Sequence, residues 1–359
     1  MRCILIVCLL LGGIRPALPA EERPVRDQAA VDKAVAKGVA YLISKQQSNG
    51  AIVMTPPPNQ THANAMTGLA SMALLAVGHR PTDDTPAGNV LRKALEFILD
   101  DRQTGATNGY FGGVDASNMY GHGIVTLMLA EIVGMGVDER QDALIRTRCQ
   151  RGIDLIVRSQ KVNKAEKFKG GWRYAPTSTD SDLSVTVWQV MALRAAKNAG
   201  LTVPKETIDA AMAYIIRSYN SQRDKDGKLL NLKSGFAYMP GGGPSYASAS
   251  AGLLALQVCG DYDAPELKGT VEWLRDLKQK TPALGHFYYG TYYYSQGMYQ
   301  RGGTTADESK QFIESLLLAV QKPDGTWQGG GTEASPVYST ALAILSLSVR
   351  HHFMPIYQR

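Results

Sequence analysis

Six times in succession this chain repeats one pattern: a helix of mixed charged and apolar residues, a loop rich in glycine and aromatics, and a second helix of small apolar residues. A period of roughly 55 residues, shorter toward the end, marks units that bury their apolar faces only by packing on neighbours. The first helices of the six pairs are read at Val31 to Gln46, Val90 to Leu99, from near Arg148, Lys205 to Tyr219, Leu267 to Lys278 and Asp307 to Val320. Their partners are Ala63 to Val77, Gly121 to Val133, Asp182 to Ala199, Ser245 to Val258, Tyr292 to Tyr299 and Tyr338 to Val349.

The two helices of a pair differ in pattern. Ile208, Ala211, Met212, Ile215 and Ile216 recur in the three-four rhythm of a helix with one wet face, whereas Ala65 to Val77 and Ser250 to Val258 carry almost no charge on any side. A helix apolar all round is buried. Six alternations of the two kinds predict an all-α fold, an (α/α)6 toroid with the apolar helices inside and the amphipathic ones outside. An open solenoid of helical pairs is the competing arrangement, but the terminal repeats are as apolar as the central ones, which favours closure. In the ring the inner helices run parallel, so the aromatic loops gather at one rim. No proline-rich or charged linker divides the chain, so residues 21–359 are read as one domain.

Composition fits a sizeable core: 44% of residues are hydrophobic and 19% charged. The N-terminus is different. Arg2, an apolar run from Cys3 to Ile14, then Pro16, Pro19 and Ala20 read as a signal peptide over residues 1–20, directing export. An uncleaved anchor is the alternative, although a run of about a dozen residues is short for a bilayer. Removing Arg2 and Arg15 lowers the formal charge from +6 to +4. Lysines and arginines are interleaved with acids, which excludes a basic stripe for nucleic acid and leaves open a peripheral contact with an acidic membrane surface. Of the four cysteines only Cys149 and Cys259 lie beyond the leader, so no disulfide framework is expected.

Gln321-Lys322-Pro323-Asp324-Gly325-Thr326-Trp327, with the looser Gly170-Gly171-Trp172 and Asn108-Gly109-Tyr110-Phe111-Gly112-Gly113, resembles the prenyltransferase and squalene-cyclase (terpenoid cyclase) repeat. Nearly the whole chain beyond the leader is covered. Tyr120-Gly121-His122-Gly123, Asp180-Ser181-Asp182-Leu183-Ser184-Val185-Thr186 and the ending Met354-Pro355-Ile356-Tyr357-Gln358-Arg359 resemble secreted single-toroid proteins of planctomycete bacteria. The resemblance implies an α/α toroid and two chemistries to test.

The first is that of the class II cyclases, such as the squalene–hopene type, which protonate an alkene with the middle acid of an Asp-x-Asp-Asp motif. Such an acid must be desolvated, held protonated and aimed. Asp180 and Asp182 match the first two positions and Leu183 replaces the third. Aligning the inner helices puts Ala63, Met119, Ser245 and Pro336 opposite Asp182, so only the third repeat has an acid there. The plainer role for Asp182, just ahead of Leu183-Ser184-Val185, is a helix N-cap. The second chemistry is zinc-dependent protein prenylation. Its Asp-x-Cys element is absent and the histidines form no ligand pair, so neither metal nor other cofactor is expected. His122, flanked by glycines, reads as an interior hydrogen-bonded histidine or a ligand contact.

Aromatic residues crowd the loops and first inner turns. Trp172 and Trp327 are expected to staple one repeat to the next, while Tyr174, Trp188, Tyr238, Tyr288, Tyr292, Tyr293 and Tyr338, with His122, are candidates to line a cavity for an isoprenoid, lipid or peptide segment. Two functions are open on these residues: a binding protein, with such a ligand or a protein partner, and a cyclase acting through Asp182 with Asp180 in support.

Overall fold

The structure, a computed structural model, describes residues 28–54, 62–104, 109–277, 284–351 and 353–357. The leader-like residues 1–20 lie outside that range. Twelve α-helices follow in chain order: α1 (Gln28–Ser44), α2 (Ala63–Ala76), α3 (Pro86–Leu99), α4 (Asn118–Glu131), α5 (Glu139–Gln160), α6 (Leu183–Asn198), α7 (Lys205–Arg217), α8 (Tyr246–Val258), α9 (Pro265–Asp276), α10 (Phe287–Arg301), α11 (Gly303–Val320) and α12 (Pro336–Leu347). The even-numbered helices touch one another in sequence, and α12 returns to touch α2. That contact closes the inner ring and rules out the open solenoid. The odd-numbered helices stand outside, each against the inner helix that precedes it in the ring (α1 against α12), with α11 beside α1 across the closure.

Burial follows the pattern read from the sequence. Every residue of α8 is buried, as are all but Ala63 and Met66 of α2, whereas α7 buries only Thr207, Ile208, Ala211, Tyr214 and Ile215. Met212 and Ile216 sit half-buried at the edge of that stripe.

A recurring set of hydrogen bonds joins the units. Gln46 at the end of α1 donates from Nε2 to Gly50 O (3.1 Å) and to Val90 O of α3 (2.8 Å), so one amide both closes its own loop and grips the next outer helix. Gln160 does the same to Gly170 O and Thr207 O, and Gln321 to Gly325 O (3.0 Å) and Ala34 O (2.8 Å). The last of these joins the sixth unit to the first. Gly170, at φ +89°, shows why glycine follows: a Cβ there would stand 2.1 Å from Ala210 O. Trp172 and Trp327 are buried and donate their indole N–H to Ile156 O and Leu317 O, both at 2.8 Å, tying each loop to the outer helix of its own pair, and Trp327 also packs against Gly38 of α1 in the next. Replacing Gln321 by alanine strips both hydrogen bonds from the closing seam. Chemical denaturation is expected to show a loss of about 2 kcal/mol, with Gln46→Ala as the matched control inside the ring.

The inner helix α10 starts earlier than the sequence suggests. The stretch Phe287-Tyr288-Tyr289-Gly290, read as loop, is the first turn of α10. Its amides are satisfied from outside the segment: Glu333, in the loop before α12, accepts from Tyr288 N (3.1 Å) and Tyr289 N (2.9 Å). Asp115, before α4, does likewise for Asn64 N (2.8 Å) and Ala65 N (3.3 Å) at the head of α2. The residues preceding both helices, His62 and His286, are left-handed (φ 44° and 56°) and provide no side-chain cap. The cap therefore comes from the following unit, which local sequence does not reveal. Among the described residues no helix is long and apolar enough to cross a membrane.

Candidate functional site

Asp182 stands at the N-cap of α6 in extended conformation, and its Oδ1 accepts from Val185 N and from Ser184 Oγ, both at 2.8 Å. The backbone around it is fixed as well, because Asp182 N donates to Trp172 O (3.0 Å) and Leu183 N to Tyr238 O (2.8 Å). Asp182 is thus the cap the sequence predicts. Its second oxygen is less expected. The residue is wholly buried, and Oδ2 makes no well-aligned hydrogen bond. Arg173 Nε is 3.8 Å away, and the nearby Tyr238 hydroxyl is engaged by that of Tyr174 at 2.7 Å. Burial raises the carboxyl's pKa above its ordinary value, against the opposing pull of Val185 N–H, Ser184, Arg173 and Tyr238.

Asp180 is half-exposed and pairs with Arg173 Nη1 at 3.2 Å. The same guanidinium lies over the rings of Tyr174 (4.8 Å) and Tyr238 (5.9 Å). Tyr120, on α4, meets Ser184 through its hydroxyl and packs its ring 5.9 Å from that of Tyr174. From α10, Tyr289 reaches the backbone oxygen of Ser184 at 3.3 Å. Tyr338 belongs to the same group: it and Tyr289 have phenol pKa values raised by burial and by nearby Tyr120. Asp182 thus lies among Tyr120, Tyr174, Tyr238 and Tyr289, of the second to fifth repeats, with Tyr338 of the sixth near Tyr120 and Tyr289, and Tyr174 is the most open ring.

The remaining candidates lie elsewhere. Trp188 stacks on Tyr292 (5.8 Å between centroids, 14° between planes) and meets Tyr293 edge-on at 5.7 Å. Because α8 stands between α6 and α10 in the ring, this stack spans the lumen. Trp188, Tyr292 and Tyr293 are each at most 1% exposed, so their rings fill the middle of the toroid and do not line an open cavity, contrary to expectation, and Tyr288, equally buried, packs edge-on to Phe287 at the head of α10. The physical reason is reach: inner helices separated by a single neighbour are close enough for two large aromatics to meet. Burial, chiefly, pushes the Tyr288 phenol up to about 12. His122 is not brought to the site. Its Nε2 is 3.1 Å from Gly152 O, Nδ1 accepts from Phe111 N (3.4 Å), and burial lowers it to about 4, the signature of a neutral structural imidazole.

Sequence reading missed Arg173, Tyr120 and Ser184 as partners of Asp182. A signal existed for two of them: Tyr120 follows Met119, which aligns with Asp182, and Ser184 sits two residues beyond it. Lys164 left no such trace, yet its buried ammonium donates to Gly171 O (2.6 Å) and Ser181 Oγ (3.1 Å), bracing the loop that carries Asp180. Cys149 and Cys259 are free thiols, each pushed up to about 12 by burial. Among the described residues no three His, Cys, Asp or Glu side chains assemble as metal ligands.

None of the curated proteins matches the chain. Among solved structures it is similar to the type II terpene cyclase MstE from Scytonema, at 14% identity and a TM-score of 0.58, covering 91% of this chain and 99% of that one. A variant of that cyclase holding its substrate, geranylgeranyl dihydroxybenzoate, gives 13% identity and 0.56, over 91% and 98%. A possible GH105-family member from Salmonella enterica serovar Paratyphi A gives 14% and 0.56, over 93% and 96%. At such identities the likeness speaks for the fold, and it reaches glycosidases as well as cyclases. The prenyltransferase alpha-alpha toroid domain matches residues 1–116, 168–299 and 288–358, in step with the closed ring, the Gln–Gly–Trp staples and the parallel inner helices; the chain belongs to that family.

Proposed function

We propose that this protein binds an isoprenoid or comparable lipid through its inner rim and does not cyclise it. The observation that carries this reading is Asp182 Oδ2, a buried carboxyl oxygen without a well-aligned hydrogen bond, set among Tyr120, Tyr174, Tyr238 and Tyr289. An unsatisfied buried carboxyl oxygen suits the hydroxyl end of a lipid, and tyrosine faces suit its apolar chain. Structural neighbours crystallised with an isoprenoid substrate and its product support the ligand class. Two features weigh against cyclisation: Leu183 stands where the family's third acid would, and the Trp188–Tyr292 stack occupies the volume a folded polyene needs. The leader-like N-terminus supports export, with cleavage near Ala20, which the intact mass of protein recovered outside the cytoplasm checks directly.

The test combines binding and product analysis. Geranylgeraniol is expected to raise the melting temperature of the wild type, and Asp182→Asn is expected to weaken binding about tenfold, since the amide keeps the cap acceptor but changes the group facing the ligand. No cyclised product is expected from either protein. Cyclised product from the wild type, lost in Asp182→Asn, establishes the acid-catalysis reading instead. If prenyl alcohols shift neither melting temperature nor native mass, a protein partner becomes the better reading.

A further inference from the structure

Three inner helices have their leading amides held by carboxylates, and the three are not alike. Asp115 uses both oxygens, Oδ2 on Asn64 N and Ala65 N at the head of α2 and Oδ1 on Ser117 N at 3.0 Å. Glu333 sets one oxygen on Tyr288 N and the other on Tyr289 N at the head of α10. Asp182 caps α6 through Oδ1 alone, and its Oδ2 is the oxygen left over among the three groups. Helix heads attract anions because their first amides lack partners. At these three the chain itself has supplied the anion, so an acidic ligand arriving at Asp182 meets a helix head already satisfied.

The cations are committed in the same way. Arg173 pairs with Asp180 through Nη1 at 3.2 Å and lies over the faces of Tyr174 and Tyr238. Lys164 is buried, with its ammonium turned to Gly171 O and Ser181 Oγ. Neither is left to balance a second negative charge beside Asp182, and two acids sharing one buried site do not ionise together readily. A ligand ammonium fares no better, because the Arg173 guanidinium already occupies the tyrosine faces that would receive it. We infer that the Asp182 site selects lipids with an uncharged, hydrogen-bond-donating head, a prenyl alcohol, and turns away the corresponding phosphate ester, carboxylic acid and amine. This specifies the ligand of the proposed function and rests on that reading.

Calorimetric titration of the full-length protein at neutral pH with four probes of one chain length tests it: geranylgeraniol, geranylgeranyl diphosphate, geranylgeranoic acid and geranylgeranylamine. The alcohol is expected to bind about a hundredfold tighter than any charged analogue. Asp180→Asn releases Arg173 from its carboxylate, and the ratio of alcohol to acid affinity should then fall about tenfold as the acid gains a cation. Inorganic diphosphate alone should shift the melting temperature of the wild type no more than chloride of equal ionic strength does. A charged analogue that binds as tightly as the alcohol and displaces it, a diphosphate-specific rise in melting temperature, or an unchanged ratio in Asp180→Asn overturns the inference and leaves lipid binding standing. If none of the four binds, the lipid reading itself fails and this inference falls with it.

Discussion

Glu131→Gln is expected to flatten the pH dependence of stability and to raise the melting temperature at neutral and alkaline pH. Glu131 is buried at the end of α4, and burial lifts its carboxyl from an ordinary 4.5 to about 8, only partly offset by the Ile356 amide. Between those two values the folded protein keeps a proton that the unfolded chain has released. The contribution of Glu131 to stability is therefore full below about pH 4.5, is lost as pH rises toward 8, and levels off beyond it. The shift corresponds to up to about 5 kcal/mol over that window. Glutamine keeps an acceptor for the Ile356 amide and cannot ionise. Melting curves from pH 4 to 9 should show the two proteins nearly coincident at the acid end and separating by several degrees at pH 8. Parallel curves across the range would mean that the carboxyl is ionised in the folded state throughout.

Trp172→Ala should be among the most damaging single changes in the protein, lowering unfolding free energy by about 3–5 kcal/mol. The side chain is 1% exposed, its indole N–H is taken by Ile156 O, and its backbone N–H by Thr186 Oγ1 at 3.0 Å. Removing it leaves a cavity between α5 and α6 and an unpaired carbonyl. Trp172→Phe retains most of the volume and loses the hydrogen bond, so about half the cost is expected by urea denaturation. The consequence extends to the rim. Trp172 O holds Asp182 N, so the alanine variant should also lose ligand-induced stabilisation out of proportion to its stability loss, while Trp327→Ala, equally buried but far along the chain, should not.

The ring was readable from sequence because its cause is periodic. Uncharged inner helices, Ile208-type stripes on the outer ones, and the Gln–Gly–Trp spacing each express packing rules with a range of a few residues. The cap at Asp182 belongs to the same class, since it depends on Val185 three positions on. What escaped notice depends on residues brought together by closure. The start of α10 at Phe287 depends on Glu333, and the filled lumen depends on Trp188 and Tyr292 meeting past α8; neither spacing has a signature in one dimension. Tyrosines that look like a cavity lining when counted become a packed core when the ring diameter sets them face to face. The unsatisfied buried Oδ2 of Asp182 is likewise a property of three dimensions: the motif supplies the acid, and the surrounding chain decides which oxygen is left over.

The seam between α12 and the first pair has a consequence for how the protein is made. Gln321 holds Ala34 across 287 residues of chain, and Arg350 pairs with Asp32 across 318. During synthesis the first pair of helices emerges with one flank of α2 apolar and uncovered, and its proper cover is the last helix to appear. Head-of-helix amides wait too: those of α2 for Asp115, those of α10 for Glu333. Contacts of such separation are slow to form and leave sticky surface open in the interval. The nascent arc thus carries that uncovered flank until its final fifth has been delivered, the interval in which aggregation competes with closure.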